Sequence, residues 1–259
     1  MSDYNTSPNI TSPLKNRLLS ALPLVEYERV FPHLELVKLT LNEVIYESGD
    51  NILHVYFPVD AIISLSYAME SGSSAEISIV GNEGIVGMAL FMGGGSTISR
   101  AVAKSVGHAY RIKGDYFMEE FKRHERFSSL MLLYTQALMT QMSQTAVCNR
   151  YHTIEQQLCR LLLLSLDRLA DNKIEMTQEL IANMLGVRRE GVTEAAGKLH
   201  KLGVINYHRG HIIVLDRQKL ESLSCECYCV VKKETDRLLA NAGIANKPGN
   251  IKRIKLNSH

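Results

Sequence analysis

The first 147 residues contain no cysteine, and the five that follow are Cys148, Cys159, Cys225, Cys227 and Cys229. An odd number, with three crowded into one short stretch, is not a disulfide framework; free thiols in a reduced, cytoplasmic setting are predicted. No apolar run approaches the ~18 residues of a membrane span, the longest being near Leu161–Leu164. Met1 to Pro13 is polar and lacks a charged-then-apolar pattern, so secretion by that route is not expected. Net charge is only +2, too little to announce a nucleic-acid partner without a local pattern. Catalytic constellations are missing too. Gly93-Gly94-Gly95 lacks the Gly-Lys-Ser/Thr ending of a phosphate loop, and no Ser-His-Asp, paired-carboxylate or metal-ligand spacing stands out. An enzyme is not expected. What remains is ordinary globular composition, 46% hydrophobic and 22% charged over 259 residues, enough for two domains.

Residues 1–14 are rich in Ser, Thr, Asn and Pro and read as a flexible tail. One or two short helices are expected over 15–33. From Leu34 the apolar period becomes two, through Leu36, Leu39 and Leu41. β-rich runs follow at Val44–Tyr46, Leu53–Phe57, Ala61–Tyr67, Glu76–Val80, Arg100–Ser105 and His108–Ile112. The turns between them include Ser48-Gly49-Asp50, Glu70-Ser71-Gly72 and the triple glycine. Short strands that do not alternate with helices predict an antiparallel sandwich, barrel or roll.

Around Gly114 the period turns helical. Asp115 can cap a short helix through Phe121, and Ser128 or Ser129 can open a long one to about Asn149. Met131, Leu138 and Thr145 are seven apart, and Thr135 and Met142 continue a second row. These five form a weak heptad seam, expected to pair two copies; packing on its own domain is the alternative. A leucine-rich helix is expected over Thr153–Ala170, ended by Asp171-Asn172, and a last helix over Arg217–Ala240. The stretch 242–259 holds Lys247, Lys252, Arg253 and Lys255 and reads as a basic flexible tail.

The segment between those last two helices is the most informative. Thr177 caps a short helix, Gln178–Leu185, which Gly186 stops. A second helix then runs from Arg188 or Arg189 to Leu202, with Val192, Ala195, Ala196 and Leu199 facing inward. This is helix, tight turn, helix. The outer face presents Arg188, Arg189, Glu190, Thr193, Glu194 and Lys198. Arginine can fork onto guanine O6/N7, and glutamate can accept from cytosine N4. A hairpin or wing follows in Gly203–Leu215, with Arg209 and His211 at its tip to meet phosphates. Residues 173–217 carry seven Lys/Arg against five Asp/Glu, so pattern rather than charge supports double-stranded DNA as the partner. A helical hairpin alone also fits packing or a protein contact; the wing directly after it favours DNA.

Taken in order, Val44-Ile45-Tyr46-Glu47-Ser48-Gly49-Asp50, Gly84-Ile85-Val86-Gly87, the long helix and Thr177-Gln178-Glu179-Leu180-Ile181-Ala182…Leu185-Gly186-Val187-Arg188-Arg189 resemble the Crp/Fnr superfamily of bacterial transcription regulators. The resemblance covers about 20–235. It implies an α+β chain: an N-terminal antiparallel β-roll of the cyclic-nucleotide-binding type over 15–127, a long dimerisation helix over 128–150, and a C-terminal winged helix-turn-helix over 151–241. A cytoplasmic homodimer on a palindromic operator is implied, with RNA polymerase as partner if it activates. Arg189 and Glu190 match the family's base-reading positions; Glu194 stands where arginine is usual, so a different operator is implied, with Arg188 as a compensating guanidinium.

The effector site departs further from that pattern. Cyclic-AMP binders of the family hold the ribose with Gly-Glu and the phosphate with Arg-Ser or Arg-Thr. Here Gly87 is followed by Met88 and Arg100 by Ala101, so tight cyclic-AMP binding is not expected and any effector is unidentified. The early cysteines of iron–sulfur members are missing, and His54 and His108 are poor grounds for haem. On one continuous helix Cys225 and Cys229 would share a face while Cys227 points away, which predicts structural thiols and no metal. The competing function is a small-molecule-binding adaptor whose helix-turn-helix contacts protein.

Overall fold

The computed structural model describes residues 12–70, 74–169 and 171–240. The proposed tails at 1–11 and 242–259, and the turn at Ser71-Gly72, lie outside the described residues. Ser12 and Leu14, assigned to the first tail, are described: the Ser12 hydroxyl accepts from the Leu14 amide and Pro13 is buried.

Two short helices, α1 (Arg17–Ser20) and α2 (Leu24–Val30), open the chain. Asn16 caps the first through its side-chain oxygen, while its amide donates to Pro58 O and Gly84 O. One fully buried side chain thus satisfies four backbone groups and ties the N-terminus to two loops of the sheet domain.

Seven strands follow: β1 (Glu35–Leu39), β2 (Val44–Tyr46), β3 (His54–Pro58), β4 (Ile63–Ala68), β5 (Ser74–Val80), β6 (Arg100–Ala103) and β7 (Gly107–Lys113). They form two antiparallel sheets, ordered β1-β7-β3 and β2-β6-β4-β5. Alternation places Val55 and Phe57 of β3 and Ala101 and Ala103 of β6 in one core, which Ala109 and Ile112 of β7 also join, each about fully buried. The expected antiparallel roll is what forms, with each run within a few residues of its predicted place.

The short helix α3 (Gly114–Phe121) leads into α4 (Arg126–Tyr151). Glu26 of α2 accepts from the Arg126 and Phe127 amides, supplying the acceptors that the first turn of α4 needs. One face of α4 closes the roll: Phe127, Leu130, Met131, Tyr134 and Leu138 join the sheet core. The Tyr134 ring covers Gly84 so closely that no Cβ would fit there.

Helix α5 (Ile154–Leu166) starts at a reciprocal capping box between Thr153 and Gln156 and ends at Asp167. It is shorter than the predicted Thr153–Ala170, because the Arg168 side chain folds inward, donating to Leu164 O. Arg168 also donates to Glu83 Oε1 at 2.8 Å and to Gln141 Oε1 at 3.1 Å, all buried. One guanidinium therefore joins α5, the loop after β5 and α4.

The C-terminal unit is β8 (Lys173–Glu175), α6 (Gln178–Leu185), α7 (Arg189–Lys201), β9 (Ile205–His208), β10 (His211–Val214), α8 (Arg217–Leu223) and α9 (Glu226–Ala240). The wing is three-stranded, β8-β10-β9, where only its hairpin was predicted. The predicted single helix Arg217–Ala240 is two, broken at extended Ser224. The core of this unit extends to Ile62 and Ile79 of the roll, against which α6 packs.

Candidate functional site

The helix-turn-helix forms from local signals that agree. The Thr177 hydroxyl accepts from Leu180 N at 3.1 Å, and Gly186 ends α6 at φ +66, where a side chain would strain the backbone. Val192, Ala195, Ala196 and Leu199 bury the inner face of α7. The outer face brings Arg188, Arg189, Glu190, Thr193, Glu194 and Lys198 together, all exposed. Arg188 is the residue immediately before the helix, so both arginines project from its N-terminal turn.

Two contacts organise this face. Thr193 Oγ1 donates to Gln178 Oε1 at 2.8 Å, fixing α7 against the start of α6. Glu194 engages Lys198 Nζ at 3.0 Å, and this hydrogen-bonded carboxylate raises the lysine's pKa. Gly191, in the first turn of α7, has a packing role the sequence did not disclose: a Cβ there would lie 2.6 Å from Ile154 Cδ1, so its absence lets α7 approach α5. At the wing tip Arg209 and Gly210 have φ of +47 and +84, the paired left-handed conformation of a two-residue hairpin turn. Arg209 is exposed there, and His211 Nδ1 lies 3.8 Å from Glu175 Oε1. Thr177 approaches the tip, its Cγ2 being 3.3 Å from where a Gly210 Cβ would stand.

The four effector candidates do not converge on one polar site. Gly87 adopts φ +112, and a Cβ there would stand 2.9 Å from His54 O, so this glycine serves a close backbone approach. Met88 packs toward α4, with Thr135 Oγ1 3.9 Å from its sulfur. Arg100 is half-exposed and held by Glu47, its Nε 3.0 Å from Oε1 and 2.9 Å from Oε2. Ala101 is fully buried between Leu65 and Tyr46 in the sheet. His54 and His108 lie toward opposite ends of the β3–β7 ladder, and His108 faces Asp60 at 3.3 Å.

The five residues predicted for a seam on α4 pack within their own chain, the alternative reading of that row. Met131 and Leu138 are almost fully buried inside their own protomer, and Thr145 hydrogen-bonds within it and to Arg160. Thr135 and Met142 are partly buried against the same domain. The exposed heptad is Leu132, Gln136, Met139, Ser143, Ala146 and Arg150. Leu132 and Met139 stand 58% and 61% exposed, unusual for such large apolar side chains on a helix this long.

Residues 36–124 match the family described as the cyclic nucleotide-binding domain, and residues 156–223 match the Crp-like helix-turn-helix domain. No curated protein matches the sequence. Among solved structures the chain is similar to FixK2 from Bradyrhizobium japonicum, with TM-score 0.62 and 17% identity over 74% of this chain and 98% of that one. The c-di-GMP responsive global regulator CLP of Xanthomonas campestris aligns with TM-score 0.61 and 13% identity over 75% and 100%. A CooA mutant from Carboxydothermus hydrogenoformans gives TM-score 0.58 and 17% identity over 85% and 97%. With a cyclic nucleotide-binding domain, a long connecting helix and a Crp-like helix-turn-helix domain in that order, the chain belongs to the Crp/Fnr family and has the architecture of its transcription regulators.

Proposed function

We propose that this protein acts in the cytoplasm as a homodimer that reads a palindromic operator in double-stranded DNA and so regulates transcription. The observation that carries the proposal is the α7 surface. Two arginines and two glutamates lie on one exposed helical face, next to a wing tip with its own arginine. In a major groove, Arg188, Arg189, Glu190, Thr193, Glu194 and Lys198 meet base edges or flanking phosphates, Thr177 adds a contact at the start of α6, and Arg209 and His211 grip the backbone. Two copies paired through the exposed α4 heptad would present two such faces, and half-sites about one helical turn (~34 Å) apart are expected, hence a palindrome. If the dimer activates transcription, RNA polymerase is its further partner.

Among the described residues, those at the family's effector positions do not converge into a polar cradle for a cyclic nucleotide. Met88 has no acceptor suited to a ribose diol, and the Arg100 guanidinium is engaged by Glu47. Tight cyclic-AMP binding is therefore not part of the proposal, and calorimetry giving micromolar affinity or better would overturn that point.

The test is selection of sites from random duplex DNA by the purified full chain without added ligand. Enrichment of a palindrome supports the proposal and names the operator. Dimers with no measurable DNA affinity at low salt, in the presence or absence of cell metabolites, would instead favour the adaptor whose helix-turn-helix meets a protein.

A further inference from the structure

The break between α8 and α9 has a chemical consequence. Because extended Ser224 separates the helices, Cys225 stands just ahead of α9 and Cys227 in its first turn, so their side chains are not held to the angular spacing of one helix. Cys229 stays exposed. The end of α4 packs against this point and brings Cys148 and the helix-ending His152, which are four residues apart on one face. Cys148, Cys225 and Cys227 form a buried cluster of their own, at 0%, 4% and 1% exposure.

The four ligand-type atoms lie within 4.8 Å of one another. Cys148 Sγ and Cys225 Sγ are 3.5 Å apart, and Cys227 Sγ is 3.6 Å from His152 Nδ1. A tetrahedral zinc ion with Zn–S of about 2.3 Å and Zn–N of about 2.0–2.1 Å places its sulfurs about 3.8 Å apart and each sulfur about 3.6 Å from the nitrogen. The Cys148–Cys225 and Cys227–His152 edges already have nearly those lengths, and the other four lie within 4.8 Å.

The surroundings suit a metal as well. The other ring nitrogen of His152, Nε2, faces the Glu226 carboxylate at 3.3 Å. A carboxylate there holds the proton on Nε2 and leaves the Nδ1 lone pair turned to the sulfurs, the outer-shell arrangement of metal-bound histidines. Three thiolates and a neutral imidazole around a divalent ion leave one negative charge. Arg160 is buried nearby, where its charge acts on Cys148 and Cys227, and its Nε has no hydrogen-bond partner among the described residues.

We propose that Cys148, His152, Cys225 and Cys227 form a closed, four-coordinate site for a divalent zinc ion that fastens the C-terminal helix to the end of the long helix. Three soft thiolates select zinc over hard cations, and four protein ligands without an open position make the site structural rather than catalytic. Binding releases the thiol protons to solvent and changes no oxidation state. The site lies where α4 turns into α5, so the metal would fix the base on which the helix-turn-helix unit is mounted. This proposal does not depend on which DNA sequence, if any, the protein reads.

The experiment uses the full-length chain, purified with reductant and without chelator, and measures zinc by elemental analysis. About one zinc ion per chain is expected, and exchange into cobalt should give the visible d–d bands of a tetrahedral ion together with thiolate-to-cobalt charge transfer. Cys225→Ser and His152→Gln should lower zinc content at least about tenfold, whereas Cys159→Ser and Cys229→Ser should leave it unchanged. Should a variant fail to fold, the cobalt spectrum of the unaltered chain still decides. A folded, reduced chain that takes up neither zinc nor cobalt overturns the proposal. So does zinc retained at full content in Cys225→Ser, or a Cys148–Cys225 disulfide that persists under reductant.

Discussion

In the proposed homodimer, replacing Met139 by aspartate should separate pairing of two chains from folding of one. Met139 is 61% exposed on α4, in register with Leu132 at 58%. Fully burying such a side chain contributes ~1.5–3 kcal/mol, so covering the exposed part contributes about 1–2 kcal/mol per chain. Two-fold symmetry doubles this to about 2–4 kcal/mol per dimer, and Met139→Asp also brings two carboxylates toward each other. A loss near 3 kcal/mol corresponds to a dimer dissociation constant about 100-fold weaker. The control is Leu138→Ala, one residue away on the buried face, which should cost ~2–5 kcal/mol of folding stability. Sedimentation equilibrium measures the first effect and thermal unfolding the second. An unchanged dissociation constant for Met139→Asp, or a Leu138→Ala chain that dissociates with unaltered Tm, would refute the assignment of the two faces.

Three further outcomes follow from the geometry. Arg189→Ala should cost about 1–3 kcal/mol of operator affinity and relax base preference at one position, read by binding to a panel of point-altered operators; unchanged preference would remove Arg189 from base reading. Glu83→Ala would leave the buried Arg168 guanidinium without its carboxylate and should destabilise folding by ~3–5 kcal/mol in denaturant titration, since an unpaired buried charge is what such a change creates. Glu76 lies in a tight site lined by Ile79 of the roll, Gln141 and Arg160, and burial raises its carboxyl from 4.5 to about 7, against the lowering influence of the Ser64 hydrogen bond and of Lys104, Arg160 and Arg168. The folded state thus holds this proton more tightly than the unfolded chain. The contribution is fully present below about pH 4.5 and is lost as pH rises through about 7, and Glu76→Gln should flatten that part of the stability profile measured by urea unfolding.

Local chemistry was enough to read most of the elements. Strand alternation, the Thr177 cap, the Gly186 stop and the inner apolar stripe of α7 each depend on neighbours a few residues apart, so they are legible along the chain. The exposed face of α7 followed directly, because burying Val192, Ala195, Ala196 and Leu199 leaves Arg189, Glu190, Thr193, Glu194 and Lys198 outside. The third wing strand escaped because β8 is three residues long, too short for one alternation of Lys, Ile and Glu to stand out; pairing with β10 makes it a strand.

Tertiary packing decided what α4 and the cysteines do. Two heptad rows one residue apart run along α4, and the more apolar one looks like a seam until the roll covers it; which row faces outward depends on where Tyr134 meets Gly84 and Gln141 meets Ile79. Likewise Cys148 and Cys225 are 77 residues apart in sequence, and no spacing rule connects them. The sequence by itself determined the sheet domain, the helix-turn-helix and the residues of its outer face, since those rest on periodicity and capping. The exposed side of the long helix was decided only by how α4 packs on the roll, and the meeting of three thiols with an imidazole only by the way α9 folds back onto α4.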